Sequence, residues 1–202
     1  MGFYKIYLPA FTKKEVNRAF DLLKKEKLEC EADPHFNSDS ELPFDRKLSV
    51  SLKAPRLKGW KYQDETILTA VNILARPFQI DSAVKSSRGG IGALFGMKNK
   101  DPYFVELARV LKQEKDLMIP ARLRLCNVEL TVIEHETEYG STIIAPVFAA
   151  ALAQANHGLI FEGEFFKESN VVKEFWPVDG DFEDLNDDEK EGLKPRFFSG
   201  WN

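Results

Sequence analysis

In the stretch Ala121-Arg-Leu-Arg-Leu-Cys-Asn-Val-Glu-Leu-Thr-Val132, apolar and polar residues alternate on both sides of Cys126-Asn127. If these two residues form a turn, Leu125 lies opposite Val128 and all the apolar side chains fall on one face. Alternation with a period of two residues is typical of half-buried strands. The stretch therefore predicts a β-hairpin.

The regions on both sides of this hairpin predict alternating strands and helices. They are a strand at 78–84, a helix at 101–115, an Ala-rich helix at 143–155, a strand from residue 159 and an edge strand at 171–176. With the hairpin included, residues 78–162 have the ferredoxin-like βαββαβ order.

The N-terminal part of the chain predicts a similar mixture of elements. Residues 3–8 and 48–52 predict strands, 13–28 and 64–75 predict helices, and 30–45 predict a loop. Thr12 and Glu15 have the spacing of a capping box at the start of the first helix. We therefore predict an α+β fold with a mixed β-sheet and helices packed mainly on one face. Residues 1–178 are expected to form a single domain, or two similar halves at 1–84 and 85–178, followed by a C-terminal segment at 179–202.

The composition favours a soluble globular protein. The chain has 202 residues, of which 44% are hydrophobic and 30% are charged. No apolar run approaches the roughly 20 residues that span a bilayer, and Met1-Gly2-Phe3-Tyr4-Lys5 lacks the pattern of a signal peptide. Cys30 and Cys126 are predicted to be buried thiols rather than a disulfide, which favours a cytoplasmic location.

The net charge of −4 hides a strong asymmetry. Residues 179–191 contain eight acidic residues and one lysine, and the rest of the chain has 24 acidic and 27 basic residues. Aromatic side chains within and after this segment indicate that it packs against the body or a partner. An acidic, aromatic surface suits the capture of a basic protein surface. The predicted partner-binding residues are Asp179, Asp181, Phe182, Glu183, Asp184, Asp187, Asp188 and Trp201.

A glycine-rich stretch at 86–100 offers an alternative ligand site. Its glycines would let backbone amides approach an anion or a nucleotide closely, but the stretch matches neither the P-loop nor the dinucleotide-binding spacing. Carboxylates at Glu134, Glu136 and Glu138 could join it if the preceding strand continued straight, whereas a strand that leaves the sheet near Ile133 would leave them solvated. The alternative ligand-binding set is Arg88, Gly89, Gly90, Gly92, Glu134, His135 and Glu136.

The sequence contains two further groups of candidate site residues, which could also be ordinary surface or core residues. Basic and aromatic residues at 46–62 could bind RNA through phosphate contacts and base stacking, although the net negative charge opposes general nucleic-acid binding. Cys30, Asp33 and His35 lack a second ligand pair at a recognised metal spacing, so neither a metal nor a cofactor is predicted. The chain contains no HExxH, CxxC or Gly-x-Ser-x-Gly motif, which favours a protein that is not an enzyme.

The segment Ala149–Phe166 combines a helix, His157-Gly158 and the sequence Leu-Ile-Phe-Glu-Gly-Glu-Phe-Phe. It resembles small bacterial α+β proteins, including some toxin-immunity proteins, over less than a tenth of the chain. The favoured function is therefore a non-enzymatic, cytoplasmic protein-binding protein, with an immunity-type inhibitor of a toxin as its specific form. The alternatives are a small-molecule or nucleotide-binding domain or hydrolase that uses residues 86–96 with Glu134 and Glu136, and an RNA-binding module that uses 46–62. The oligomeric state and the identity of the partner stay open.

Overall fold

One antiparallel sheet organises the protein in the computed structural model, which describes residues 2–39, 41–53, 65–83, 102–113, 117–169 and 195–201. Its strands are β1 (Phe3–Leu8), β2 (Cys30–Ala32), β3 (Phe44–Lys53), β4 (Thr66–Pro77), β5 (Val128–Glu134), β6 (Leu159–Glu162), β7 (Phe165–Lys167) and β8 (Arg196–Phe197). They follow the order β2-β3-β4-β5-β1-β6-β7, and β8 pairs with β4. Every pairing among them is antiparallel, so the α+β class is confirmed and the predicted mixed sheet is corrected to an antiparallel one.

Helices cover both faces of this sheet. They are α1 (Lys13–Lys25), α2 (Pro102–Lys112), α3 (Met118–Leu125) and α4 (Ser141–Ala155), with a further helical turn at residues 80–83. The first face packs against α1 and α4, whose rings Phe20 and Phe148 have centroids 5.1 Å apart. The second face packs against α2 and α3, where Leu107 and Leu123 join Tyr7 of β1 in a separate core cluster.

The prediction that helices pack mainly on one face is therefore wrong. Successive residues of a strand point to opposite faces, and Ile6, Tyr7 and Leu8 are all fully buried in β1. Because β1 presents bulky side chains on both of its faces, a helical layer is needed on each side. The aromatic and apolar residues at 3–8 indicate a strand, but their pattern alone does not show that both of its faces are buried.

The ferredoxin-like order is not confirmed. Within residues 78–162, the described elements are the helical turn, α2, α3, β5, α4 and β6. The predicted hairpin is wrong in its first half, because residues 118–125 are helical and Leu125 is 66% exposed. Cys126 and Asn127 link α3 to β5, and the Asn127 amide donates to the Leu8 carbonyl across 2.9 Å. The predicted strand at 78–84 is also wrong over its described residues, since Ile80–Ala83 form the helical turn.

The predicted helix at 64–75 is a strand, β4, in its described part. Five positions alternate toward one buried face, namely Ile67, Thr69, Val71, Ile73 and Ala75. Four of these are β-branched residues, which favour strands. A helical stripe also fits the apolar residues Ile67, Leu68, Val71 and Leu74. The spacing of apolar residues therefore did not distinguish a helix from a strand.

Other predictions are confirmed. Residues 3–8 form β1, and α1 begins at Lys13 with the complete capping box of Thr12 and Glu15. The predicted strand at 48–52 lies within β3, and the helices near 101–115 and 143–155 correspond to α2 and α4. The predicted edge strand at 171–176 lies outside the described residues. The division into residues 1–178 and 179–202 stays a prediction.

Candidate functional site

The three carboxylates singled out in the sequence, Glu134, Glu136 and Glu138, lie at or after the end of β5 and have three different environments. Glu134 ends the strand, where its Oε2 accepts a hydrogen bond from the Gly2 amide at 2.6 Å and its Oε1 accepts one from the Tyr4 hydroxyl at 3.3 Å. Burial and the nearby Glu134 carboxylate raise the pKa of Tyr4 to about 12. Glu134 therefore helps to hold the N-terminal strand in the sheet.

The turn that follows separates the other members of the predicted ligand set. The His135 amide donates to the Ser141 Oγ at 2.7 Å, and the His135 Nδ1 lies 3.1 Å from the Thr137 hydroxyl. Glu136 is exposed to solvent, whereas Glu138 is buried. Of the three carboxylates, Glu136 alone therefore has the solvated position that the second alternative gave to all of them.

Glu138 forms the most strongly charged contact of this turn. Its side chain is 8% exposed and accepts a hydrogen bond from Lys47 Nζ at 2.7 Å. Arg196 Nη2 lies 2.6 Å from both carboxylate oxygens. Burial alone would raise the pKa of Glu138, but the hydrogen bonds and charges of Lys47 and Arg196 bring it below its ordinary value. Glu138 is therefore held as a carboxylate between two cations.

This contact holds the C-terminal residues against the sheet. In β8, Arg196 pairs with Leu68 and Phe197 pairs with Ile67. The Phe198 amide then donates to the Thr66 carbonyl at 2.9 Å. Trp201, one of the predicted partner-binding residues, is half-buried, and its ring centroid lies 4.8 Å from that of Phe198.

A cleft of about 410 Å³ lies beside this C-terminal segment. It is lined by Lys24, Glu29, Cys30, Glu31, Ser51, Lys53, Thr66 and Phe198. Among the described lining residues, two lysines and two glutamates balance each other, and Lys53 Nζ lies 3.5 Å from Glu29 Oε2. The described part of the lining therefore favours neither an anion nor a cation.

A second polar group lies within the apolar contacts of the second face. Glu129 Oε2 accepts hydrogen bonds from the Tyr7 hydroxyl at 3.1 Å and from the Tyr103 hydroxyl at 3.0 Å. Lys5 Nζ lies 4.5 Å from the centroid of the Tyr103 ring. Burial, followed by the Glu129 charge, raises the pKa of Tyr7 well above its ordinary value. This group was not predicted from the sequence. Lys5 and Tyr7 share one face of β1 because they are two residues apart, but only the structure pairs Tyr7 with Glu129.

In the basic stretch at 46–62, the described basic side chains contact other residues of this protein. Arg46 Nη1 donates to the Asn37 carbonyl at 2.9 Å, while Lys47 and Lys53 contact Glu138 and Glu29. The other residues of that prediction lie outside the described residues, namely Arg56, Lys58, Trp60, Lys61 and Tyr62.

Most of the remaining predicted site residues also lie outside the described ranges. They are Arg88, Gly89, Gly90, Gly92, Asp179, Asp181, Phe182, Glu183, Asp184, Asp187 and Asp188. The partner-binding and ligand-binding predictions that depend on them stay predictions.

Both cysteines are free and buried, which confirms the prediction of buried thiols. Cys30 belongs to the first-face core and Cys126 to the second-face core. Burial raises the pKa of each thiol to about 12. In the described ranges, His, Cys, Asp and Glu side chains nowhere gather in a group of three that could hold a metal ion.

Comparison of the chain with protein-family models, curated proteins and solved structures gives no match. Within the part of the chain that the structure describes, no helix combines the length and hydrophobicity that crossing a membrane requires.

Proposed function

We propose that the protein is a cytoplasmic, non-enzymatic binding protein that captures a protein partner with a basic surface through its acidic residues 179–191. An immunity-type inhibitor, whose captured partner is a toxin, is the specific form of this proposal. The eight carboxylates of the segment would accelerate association by attracting a basic surface.

The observation that carries the proposal is the attachment of the chain on both sides of the acidic segment. Before it, the Ser169 hydroxyl donates to the Ala150 carbonyl of α4 at 3.0 Å. After it, Arg196 binds Glu138, and β8 pairs with β4. The acidic residues therefore belong to a connection between two fixed points rather than to a free end.

The test compares two variants with the same change of charge. In the first, Asp181, Glu183, Asp184 and Asp187 are replaced by the corresponding amides. In the matched control, the exposed residues Glu26, Glu41, Asp45 and Glu136 are replaced in the same way. Proteins captured from an extract of the producing cell by the wild type are identified, purified and titrated against all three proteins.

The proposal expects a basic partner whose affinity falls at least tenfold in the first variant and stays within twofold in the control. Its affinity for the wild type should also fall as salt is added, because salt screens exposed charges. Equal affinities for all three proteins, or capture of no partner, would contradict the proposal. For the immunity-type form, the purified partner must also be toxic when produced alone and harmless when produced with this chain.

A further inference from the structure

A short part of the β4 edge is covered only by the C-terminal segment among the described strands. β5 pairs with β4 from Val71 to Pro77 and does not reach the beginning of that strand. Beyond that end, β8 pairs with Ile67 and Leu68, and the Phe198 amide donates to the Thr66 carbonyl. We call this edge at residues 66–68, together with Glu138, the β8 slot.

The β8 slot has the chemistry of an arginine receptor. Glu138 is 8% exposed and is fixed by Lys47, whereas the Arg196 side chain is 53% exposed. The buried, prearranged partner therefore belongs to the body, and the exposed partner is brought by the C-terminal segment. The Arg196 Nη2 donates to the ionised Glu138 carboxylate, and such charge-assisted hydrogen bonds are roughly twice as strong as neutral ones.

The segment that fills the slot buries little apolar surface there. Both residues of β8 are exposed, and Phe197 is 52% exposed. The contacts described for β8 include backbone hydrogen bonds and an ion pair, which another extended chain can also make. A strand that adds to a sheet edge gains its affinity mainly from the main chain and its specificity from side chains in pockets.

We propose that the β8 slot binds an extended segment of a partner protein that carries an arginine. The chain's own Arg196-Phe197 is the internal occupant that such a segment replaces. Because β8 is tethered to the protein, it competes with a partner segment at an effective concentration on the order of millimolar. Binding of a partner segment is therefore measured best in a variant that lacks the internal arginine. The inference does not depend on residues 179–191, so its test is separate from that of the proposed function.

The experiment uses the full chain and a fluorescent peptide with the sequence of residues 195–202, Pro-Arg-Phe-Phe-Ser-Gly-Trp-Asn. Fluorescence anisotropy measures its binding to the wild type, to Arg196→Ala and to Arg196→Ala with Glu138→Gln. We expect Arg196→Ala to bind the peptide at least tenfold more tightly than the wild type, because its slot lacks the internal arginine. Adding Glu138→Gln should weaken binding at least tenfold.

A change in the peptide provides a control that leaves the protein unaltered. Replacing the peptide arginine by citrulline keeps its shape and removes its charge, and it should weaken binding to Arg196→Ala at least tenfold. Equal binding of both peptides, or no binding of the arginine peptide to Arg196→Ala, would overturn the proposal. A third outcome would also overturn the proposal, namely that the wild type is a dimer, that Arg196→Ala dissociates this dimer, and that the peptide does not bind. The slot would then hold the C-terminal segment of a second copy of the chain.

Discussion

Replacing Glu138 by glutamine should destabilise the protein measurably. The amide keeps the shape of the side chain but turns one acceptor, which contacts Arg196 at 2.6 Å, into a donor facing a donor. A hydrogen bond to a charged group contributes about 1.5–3 kcal/mol, and Glu138 makes such bonds with two partners. Lys47 and Arg196 are 39% and 53% exposed, so solvent compensates part of their loss. We expect a loss of about 2 kcal/mol, or about 4–8 °C in Tm.

The stability difference should also depend on pH. The pKa of Glu138 in the folded protein lies below its ordinary value of 4.5, so the ionised carboxylate stabilises the fold. Its contribution is complete above the unfolded-state pKa and is lost as the pH falls through the folded-state pKa. The wild type and Glu138→Gln should therefore differ most near neutral pH and converge in acid.

The assay is urea denaturation of the wild type, Glu138→Gln and Glu136→Gln at several pH values. Glu136 is the matched control, because it lies two residues away on the same turn and is exposed. Its replacement should change the free energy of unfolding by less than about 0.5 kcal/mol. The reasoning is refuted if the two variants are equally stable at neutral pH, or if the deficit of Glu138→Gln persists unchanged in acid.

Three further predictions concern the core. Tyr7→Phe should lower the free energy of unfolding, measured by urea denaturation, by about 1–2 kcal/mol, because the buried Tyr7 hydroxyl donates to Glu129. An unchanged stability would contradict a net contribution from that hydrogen bond. Gly158→Ala should lower the free energy of unfolding by about 1–3 kcal/mol, because a Cβ would lie 2.5 Å from the Tyr7 carbonyl oxygen of β1. A variant as stable as the wild type would show that β1 can shift to make room for the methyl group. Cys30 and Cys126, with pKa values of about 12, should resist a disulfide reagent at pH 8 in the native protein and react fully in denaturant, whereas rapid native reaction would show that they are accessible.

Local signals predicted the elements whose ends or burial patterns are encoded in neighbouring residues. The capping box of Thr12 and Glu15 located the beginning of α1, and the apolar composition of residues 143–155 indicated a buried helix. In contrast, β4 fits both a helical and a strand pattern, and its pairing with β3 and β5 determines which one forms. The sequence of α3 also fits a strand pattern, although the residues form a helix in which Leu123 is buried and Leu125 is exposed.

The candidate site was only partly predictable because its members are distant in sequence. Glu138 was among the flagged carboxylates, but Lys47 and Arg196 lie 91 and 58 residues away from it. Residue spacing therefore could not distinguish it from Glu136, which differs by two positions and lies in solvent. Only the pairing of β8 with β4 brings Arg196 to the turn.

The position of β1 in the sheet has a consequence for how the chain folds during synthesis. β1 lies between β5 and β6, and Phe3 pairs with Ile133 while Lys5 pairs with Phe161. After β1 has been made, more than one hundred further residues must follow before its neighbours in the sheet exist. Its alternate faces carry Ile6, Tyr7 and Leu8, which must stay protected from aggregation during that interval. A nascent chain that stops before residue 128 lacks both strands that flank β1, so β1 cannot join the sheet until those later residues have been made.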